Sequence, residues 1–209
     1  MKSLDEAIKT VKQNATAKFD ETIEVHFNFK LDVTKPDQTV RTTTTLPHGT
    51  GKETKVVVLS SKKIESADLN LTKADINKID SGDISPGNDF DILITEPKFM
   101  SDLAKLGPVL GPIGLMPNPK NGTITDDVEK AVESFKEGKI ELRNEPNAPI
   151  IHAVIGKVSF SDKKLKENFM EIWNTIKSSK PVKAKPDWVK NCFITSTMSE
   201  SIEIDIYNL

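Results

Sequence analysis

The sequence predicts an α/β fold, and three patterns support this prediction. Over residues 23–31 apolar side chains alternate with polar ones, which indicates a strand with one buried face. Residues 56–59 and 92–94 are continuous apolar runs, typical of strands that are covered on both faces. Apolar residues recur at helical spacing over 4–11 and 165–176, which indicates amphipathic helices. Helices interspersed with strands of both kinds favour α/β layers.

The first half of the chain is predicted to contain both strand types. A turn at Lys35-Pro36-Asp37 separates two strands, and we expect these to pair antiparallel. The later apolar runs are predicted to form a small βαβ unit with a partly parallel sheet. The predicted elements are a helix at 4–11, strands at 23–31 and 40–46, a strand at 56–59, helices at 64–71 and 73–79, a strand at 92–94 and a short helix at 100–106.

A loop rich in proline and glycine opens the second half. Residues 106–122 hold four prolines and four glycines, so no regular structure is predicted there. Thr123 with Asp126 is a capping signal for the next helix, and Gly138 is predicted to end that helix. The remaining predictions are a helix over 128–135, strands at 140–142 and 150–160, a helix at 165–177, an extended connector at 180–186, and strands at 193–197 and 202–206.

Composition limits the class of protein. The chain has 209 residues, of which 36% are hydrophobic and 29% charged, as is ordinary for a globular protein. No stretch approaches the roughly 18–20 apolar residues of a membrane span, and the first residues do not resemble a secretory signal. The single cysteine, Cys192, excludes an intramolecular disulfide, and its apolar neighbours predict a buried thiol.

Charge alone argues against a nucleic-acid partner. The formal net charge is −2, whereas Lys and Arg usually supply much of the affinity for phosphates. Residues 1–53 carry 8 basic and 8 acidic side chains, residues 54–143 carry 12 and 15, and residues 144–209 carry 9 and 8. The two ends are therefore less repulsive toward a polyanion than the middle.

Enzyme chemistry finds little support. His26, His48 and His152 do not have close metal-ligand spacing, so no metal site or cofactor is predicted. The Gly49-Thr-Gly-Lys52 segment hints at a phosphate loop, but its spacing is wrong, and Glu53 stands where a hydroxyl should hold magnesium. A tight turn between strands is the favoured interpretation.

Six collinear segments carry a resemblance to a known family. Leu110-Gly-Pro-Ile-Gly-Leu-Met-Pro-Asn-Pro-Lys120 resembles the signature loop of the L-one family of large-subunit ribosomal proteins. Five more segments match in order, so the resemblance spans positions 19 to 198. They are Phe19-Asp-Glu-Thr-Ile-Glu-Val25, Leu46-Pro-His-Gly-Thr-Gly-Lys52, Gly138-Lys-Ile-Glu141, Ile155-Gly-Lys-Val-Ser-Phe160 and Ser196-Thr-Met198.

The resemblance implies two domains within the α/β class. Residues 1–53 and 144–209 should combine into a two-layer α/β sandwich that binds RNA, with residues 54–143 inserted as a Rossmann-like three-layer domain. The family implies a non-enzymatic, cytoplasmic or organellar ribosomal protein, monomeric when free, on the mobile stalk of large-subunit ribosomal RNA beside the tRNA exit site. The implied partners are that RNA, the E-site tRNA and, as a further hypothesis, the protein's own messenger RNA, whose translation it would repress; no membrane partner is implied.

The resemblance also selects residues. Those around the Leu46–Lys52 match, namely His48, Gly49, Gly51 and Lys52, should form the hinge or boundary between the domains. Hydroxyl and backbone groups can meet a ribose 2′-hydroxyl without positive charge, and Phe19 and Met198 offer apolar surface to a sugar or base. The residues expected to bind RNA are Lys18, Phe19, Thr22, Glu24, Arg41, Asn191, Ser196, Thr197, Met198 and Ser199.

Two departures from the family pattern predict RNA binding that is weaker, more salt-sensitive or assisted by protein. The chain has Ser199 and Glu200 where the family usually has glycine and proline, and Ile113 where it usually has a basic residue. Two other hypotheses remain open: a ribosome-associated or organellar paralogue that binds mainly protein, and a nucleotide-binding enzyme. The enzyme hypothesis requires a pocket at the ends of the strands that start at Val56 and Ile92, with Lys52 directed into it.

Overall fold

The computed structural model describes residues 1–209, which form nine strands and six α-helices joined by short 3-10 turns. No helix has the length and apolar character that crossing a membrane requires. The strands are β1 (Thr22–Phe29), β2 (Arg41–Thr45), β3 (Val56–Leu59), β4 (Leu69–Leu71), β5 (Ile92–Thr95), β6 (Lys139–Arg143), β7 (Ile150–Lys157), β8 (Val189–Ser196) and β9 (Ile202–Ile204). The helices are α1 (Leu4–Asn14), α2 (Ile76–Asp80), α3 (Met100–Leu103), α4 (Gly107–Leu110), α5 (Val128–Lys136) and α6 (Asp162–Ser178).

The chain divides into two compact units. Met1–Gly51 and Gly138–Leu209 form one, called here the composite unit, and Lys52–Glu137 form the other, called the middle unit. The second boundary lies between Glu137 and Gly138, before the position after residue 143 that the sequence predicted. The reason is that β6 pairs antiparallel with β2 and so belongs to the composite unit.

A four-stranded antiparallel sheet forms the composite unit's framework. Its order is β7-β1-β8-β9, so the strand from the N-terminal segment lies between two strands from the C-terminal segment. Alternate β1 residues, including Ile23, Val25 and Phe27, are fully buried, as the period-2 pattern predicts. Phe27 stacks on Phe169 and Trp173 of α6, with ring centroids 6.1 and 5.9 Å apart, so α6 covers this face.

The first helix lies against the same sheet. Ser3 and Glu6 form a capping box, which satisfies backbone N–H groups at the helix start. The apolar face of α1 is buried through Leu4, Ala7, Ile8 and Val11. Both chain ends therefore contribute to one core.

In the middle unit, a parallel sheet of order β4-β3-β5 is buried on both faces. Val57 and Leu59 point into one apolar cluster, which includes Ile79 of α2. Val56 and Val58 point into another, which includes Val132 of α5. The predicted two-sided burial of the apolar runs is confirmed, and so is the mixed α/β class.

Two predictions in the first half were wrong. Strands β1 and β2 do not pair, because β7 and β8 occupy both edges of β1 and β2 pairs with β6 instead. Residues 64–71 are not helical: the Asn70 amide bonds to both the N–H and the C=O of Ile64 (2.8 and 2.9 Å), which closes a turn that leads into β4. Ile64 and Leu71 consequently pack in different clusters.

Two more corrections concern the loop over 106–122. It contains the short helix α4, since Pro108 stands in the first turn, where proline is tolerated. Thr123 does not cap α5, whose N-cap is Asp127. The Thr123 hydroxyl instead accepts from the Asn118 N–H (2.8 Å) and donates to the Asn118 carbonyl (3.1 Å), so it closes the loop.

Candidate nucleic-acid interface

The turn that follows β8 is bonded to the start of β1. The Thr22 N–H donates to Thr197 Oγ1 at 3.0 Å, and Thr197 Oγ1 lies 3.4 Å from the Thr22 carbonyl, to which it donates in turn. Lys157, at the end of β7, donates from Nζ to Thr22 Oγ1 at 2.8 Å. The ends of three strands thus meet at one point, and the Lys157 cation stands beside the Thr22 hydroxyl. We call Thr22, Thr197 and Lys157 the Thr22–Thr197 cluster.

A buried carboxylate lies behind this cluster and connects two separate segments. Glu21 is 1% exposed, and it accepts hydrogen bonds from Ser196 Oγ (2.7 Å), the Met198 N–H (2.9 Å) and the Ala17 N–H (3.0 Å). These bonds hold the pKa of Glu21 below its ordinary value, and the bond from Ser196 has the largest effect. The charged carboxylate therefore fixes both the turn after β8 and the bend before β1.

Two apolar side chains project from the segments that Glu21 holds. Phe19 is 57% exposed and Met198 is 72% exposed, although large apolar side chains usually find cover. Phe19 and the exposed Lys18 lie in the bend at 17–19, and Met198 lies in the turn after β8. Because Glu21 bonds to both segments, it holds these apolar side chains on fixed backbone while leaving them accessible.

The serine side chains of the turn after β8 form hydrogen bonds within the protein. Ser196 is 2% exposed, so the structure places it beneath the surface, where its hydroxyl serves Glu21. Ser199 Oγ accepts from the Ser196 N–H at 3.0 Å, and its own N–H donates to the Ser196 carbonyl at 3.2 Å. No non-glycine residue has positive φ, so serine meets no left-handed strain at position 199. Glu200, by contrast, is exposed.

The side of the sheet opposite the core carries polar residues, and we call it the outer face. Thr22, Glu24, His26 and Asn28 alternate along β1 with its buried residues. Asn28 Nδ2 donates to Asn191 Oδ1 of β8 at 2.8 Å, so Asn191 belongs to this face. The outer face therefore extends the Thr22–Thr197 cluster along the strands.

Arg41 lies elsewhere in the composite unit. It stands on β2, in the two-stranded sheet with β6, and its Nε donates to Glu141 Oε1 at 2.6 Å. The structure thus brings together most of the residues that the resemblance selects, but it places Arg41 on a different sheet and Ser196 in the interior.

The residues expected at the domain boundary are His48, Gly49, Gly51 and Lys52. They lie where the chain first passes from the composite unit to the middle unit, which is after Gly51. His48 Nε2 contacts Glu167 of α6, and the buried Asn168 bonds to the His48 N–H (3.1 Å) and the Gly49 carbonyl (2.9 Å). Gly49 and Gly51 both have positive φ, which glycine adopts without strain. Lys52 Nζ donates to Asp91 Oδ1 at 2.6 Å, within the middle unit.

Sequence reasoning missed Glu21, Lys157 and a pair of histidines. Glu21 and Lys157 both lie inside segments that carry the resemblance. Glu21 precedes a strand and Lys157 follows a glycine, and charged residues at such positions are usually ordinary surface residues. His26 and His152 are 126 positions apart, yet their Nδ1 atoms lie 2.6 Å apart across the β1–β7 ladder. No group of three or more His, Cys, Asp or Glu side chains is arranged to hold a metal ion.

Comparison with known proteins gives concordant matches. Residues 11–200 match the Ribosomal protein L1p/L10e family. The chain is 46% identical over 210 residues to the large ribosomal subunit protein uL1 of Prochlorococcus marinus (strain NATL1A), covering 98% of this chain and 87% of that protein. It is 45% identical over 208 residues to the protein of the same name from Coxiella burnetii (strain Dugway 5J108-111), covering 97% and 88%.

These matches, with the mixed α/β fold and the polar outer face, define the class as ribosomal proteins rather than enzymes. The chain belongs to the Ribosomal protein L1p/L10e family, the L-one family that the sequence resembles.

Proposed function

We propose that this protein is a structural constituent of the large ribosomal subunit and binds the mobile stalk of its ribosomal RNA, near the site of tRNA exit. The proposed contact surface is the Thr22–Thr197 cluster with Phe19, Met198 and the adjoining outer face, all in the composite unit. The curated relatives carry the name of a large-subunit protein, which supports the first part of the proposal.

The distribution of charge between the units supports this choice of surface. The composite unit carries 18 basic and 16 acidic side chains, a net of +2, whereas the middle unit carries 11 and 15, a net of −4. Since a polyanion is repelled by net negative charge, the composite unit is the more favourable partner. A net of +2 is small, so contacts other than those to phosphate must contribute substantially.

The single observation that carries the proposal is the double anchoring of the exposed turn over 196–199. Glu21 and the Thr22 backbone both bond to this turn, so Met198 and the Thr197 hydroxyl are held in place before any partner arrives. Structured RNA is recognised largely through shape and 2′-hydroxyl contacts, for which rigid hydroxyl and backbone groups are suitable. Pre-organisation lowers the entropy lost on binding, which compensates in part for the scarcity of positive charge.

The middle unit gives less support to the nucleotide-binding enzyme. That hypothesis requires Lys52 near the carboxyl ends of β3 and β5. Lys52 pairs instead with Asp91, which immediately precedes β5, so it lies at the opposite end of the strands. Ligands of open α/β sheets usually bind outside the carboxyl ends.

The test compares two RNAs of equal length: a folded stalk fragment of large-subunit ribosomal RNA and a scrambled duplex. Dissociation constants are measured for both at several salt concentrations, and the slope of log K against log salt estimates the number of phosphates engaged. We expect selective binding to the stalk fragment. Because the composite unit has a net charge of only +2, the slope should be shallow, about two to four phosphates, rather than the greater salt sensitivity expected from the sequence departures. Equal or absent binding to both RNAs by folded protein would reject the proposal and favour a paralogue that binds mainly protein.

The same surface would serve translational repression. We propose that a messenger RNA segment folded like the stalk binds to the Thr22–Thr197 cluster, so that the two RNAs compete. In a translation assay, the stalk fragment should relieve repression of the protein's own message, and Thr197→Val should weaken repression and stalk binding together. Repression that survives excess stalk RNA would contradict a shared site.

A further inference from the structure

Four side chains form a row across the outer face of the sheet. In the strand register, His26 lies opposite His152 on one side and opposite Phe193 on the other, and Phe193 lies opposite Glu203. His152 retains 45% of its side-chain exposure, so the row is accessible from outside. It stands two residues along β1 from Glu24 and four from Thr22, which places it about 13 Å along the same face from the Thr22–Thr197 cluster.

The two histidines form a direct hydrogen bond. Their Nδ1 atoms lie 2.6 Å apart, and the rings meet edge to face with centroids 4.8 Å apart. Such a bond needs one nitrogen that carries a proton and one that does not. His152 Nε2 lies 3.2 Å from Glu145 Oε1, and a carboxylate at this distance favours a proton on Nε2. Nδ1 of neutral His152 is then the acceptor, and His26 donates from Nδ1.

This arrangement can take up one further proton without breaking. A proton added at His26 Nε2 gives an imidazolium that still donates from Nδ1 to His152. A second added proton would place N–H groups on both facing nitrogens, and the bond would be lost. The pair therefore switches between net charges of zero and +1 on a surface that also carries Glu24, Glu145 and Glu203, and Lys157 at its Thr22–Thr197 end.

We propose that the His26–His152 pair is a phosphate-binding element of the RNA surface and takes up one proton when RNA binds. This inference rests on the proposed function, because it assumes that RNA occupies the outer face. A phosphate oxygen beside the pair would accept from the imidazolium, and Phe193 in the same row would offer an aromatic surface to a neighbouring sugar or base.

The direction of the pH dependence follows from the surroundings of the free protein. Burial, and then the nearby His152, lower the pKa of His26 below its ordinary value, while Glu24 partly opposes them. His26 is therefore mostly neutral near pH 7 in the free protein. A bound phosphate stabilises the protonated form and raises the pKa of His26. RNA affinity should consequently increase as pH falls from about 8 toward the range in which histidine titrates.

The test measures stalk-fragment affinity from about pH 5.5 to about pH 8, the range in which histidine titrates, at fixed ionic strength. Uptake of one proton limits the gain to about tenfold per pH unit, and we expect a gain of about three- to tenfold between pH 7.5 and pH 6. Calorimetry in buffers of different ionisation enthalpy counts the protons directly and should give a value between about 0.3 and 1 near pH 7.

Variants assign the effect to the pair. In the double variant His26→Asn/His152→Asn, the change in affinity between pH 7.5 and pH 6 should fall below about twofold, whatever the affinity at pH 8. His48→Asn removes a histidine that bonds to Glu167 away from the sheet, so it should keep the wild-type pH profile. If wild-type affinity does not change with pH although binding at pH 8 is selective, this inference is overturned. It is also overturned if the double variant keeps the wild-type pH dependence. In both cases the proposed function stands. Absence of selective binding at every pH would reject the proposed function as well.

Discussion

The Thr197 hydroxyl accepts a hydrogen bond from the backbone N–H of Thr22 at 3.0 Å, although the two residues are 175 positions apart. This bond joins the first strand of the chain to the turn after β8. It gives the Thr197 hydroxyl a fixed position at the surface, and it leaves the oxygen with capacity for a further contact. The consequences of such fixed contacts can be tested by substitution.

Thr197→Val should weaken RNA binding while the fold remains. Valine matches the shape of threonine but cannot accept from the Thr22 N–H, so we expect a loss of about 1 kcal/mol in binding free energy, or about fivefold in Kd. Thr197→Ser keeps the acceptor and should bind within about twofold of wild type. Filter binding with the stalk fragment measures both, and far-UV circular dichroism checks the fold. Equal affinity for the valine and wild-type proteins would remove this hydroxyl from the interface.

Phe19→Ala and Met198→Ala should reduce affinity without reducing stability. Both side chains are exposed, so truncation leaves no cavity. Loss of an aromatic contact to a base or sugar costs about 1–3 kcal/mol, so we expect about tenfold weaker binding for Phe19→Ala and a smaller loss for Met198→Ala. Val182→Ala, a fully exposed apolar position in the connector before β8, is the control and should bind like wild type. A uniform response of all three variants would argue against a localised contact.

Glu21→Gln should make the stability of the composite unit less dependent on pH. The folded state lowers the pKa of Glu21, so its contribution is fully present above the unfolded-state pKa and is lost as pH falls through the folded-state pKa. Wild-type stability should therefore fall from about pH 5 downward, and the variant should be less stable near pH 7 with a flatter profile below pH 5. Both tryptophans, Trp173 and Trp188, lie in the composite unit, so urea unfolding followed by tryptophan fluorescence reports on it. The exposed Glu200 provides the control Glu200→Gln, and an identical profile for both variants would contradict the role of Glu21.

Glu200→Gln should strengthen RNA binding at low salt. The substitution removes an exposed negative charge two residues from Met198, and a charge near a phosphate is worth about twofold to threefold in Kd in water. The advantage should shrink as salt approaches about 0.5 M, because screening weakens interactions between exposed charges. Comparing the salt dependence of Kd for the two proteins checks this, and parallel curves would place Glu200 away from the RNA.

Gly138→Ala should destabilise the composite unit. Gly138 has φ of +110°, and a Cβ there would lie 2.6 Å from Gly49 Cα, so the substitution meets both backbone strain and a backbone clash. We expect a loss of about 2–4 kcal/mol. Gly82, with φ of +84° and open space around it, supplies a variant with strain alone, which should cost about 1 kcal/mol. Differential scanning calorimetry measures both, and equal costs would show that the close approach to Gly49 relaxes easily.

Periodicity in the sequence predicted which faces are buried but not which strands are neighbours. The alternation along β1 and the apolar runs of β3 and β5 indicate burial directly, because apolar side chains face the core and polar side chains face water. The pairing of β1 with β7 and β8 depends on segments more than 100 positions away, and local pattern carries no information about it. The preference for adjacent strands to pair therefore gave the wrong partner for β2.

For the candidate site, the resemblance selected segments, while the structure shows how the residues within them are arranged. Ser196 was selected as a surface group, but its hydroxyl bonds to the buried Glu21. Glu21 itself was not selected, because its three donors come from positions 17, 196 and 198, and only the folded chain brings them together. Arg41 was also selected by the resemblance, yet it belongs to another sheet.

The position of β1 between β7 and β8 has a consequence for the order of synthesis. A ribosome that has made every residue up to the connector has produced β1, Phe19 and Glu21, but none of the groups at 196–198 that Glu21 and Thr22 require. A nascent or truncated chain that stops before β8 therefore lacks the proposed surface, which residues 189–198 complete. If the protein represses its own message, only chains that extend past residue 198 can do so, and the feedback reports chains made through β8 rather than every chain that has been started.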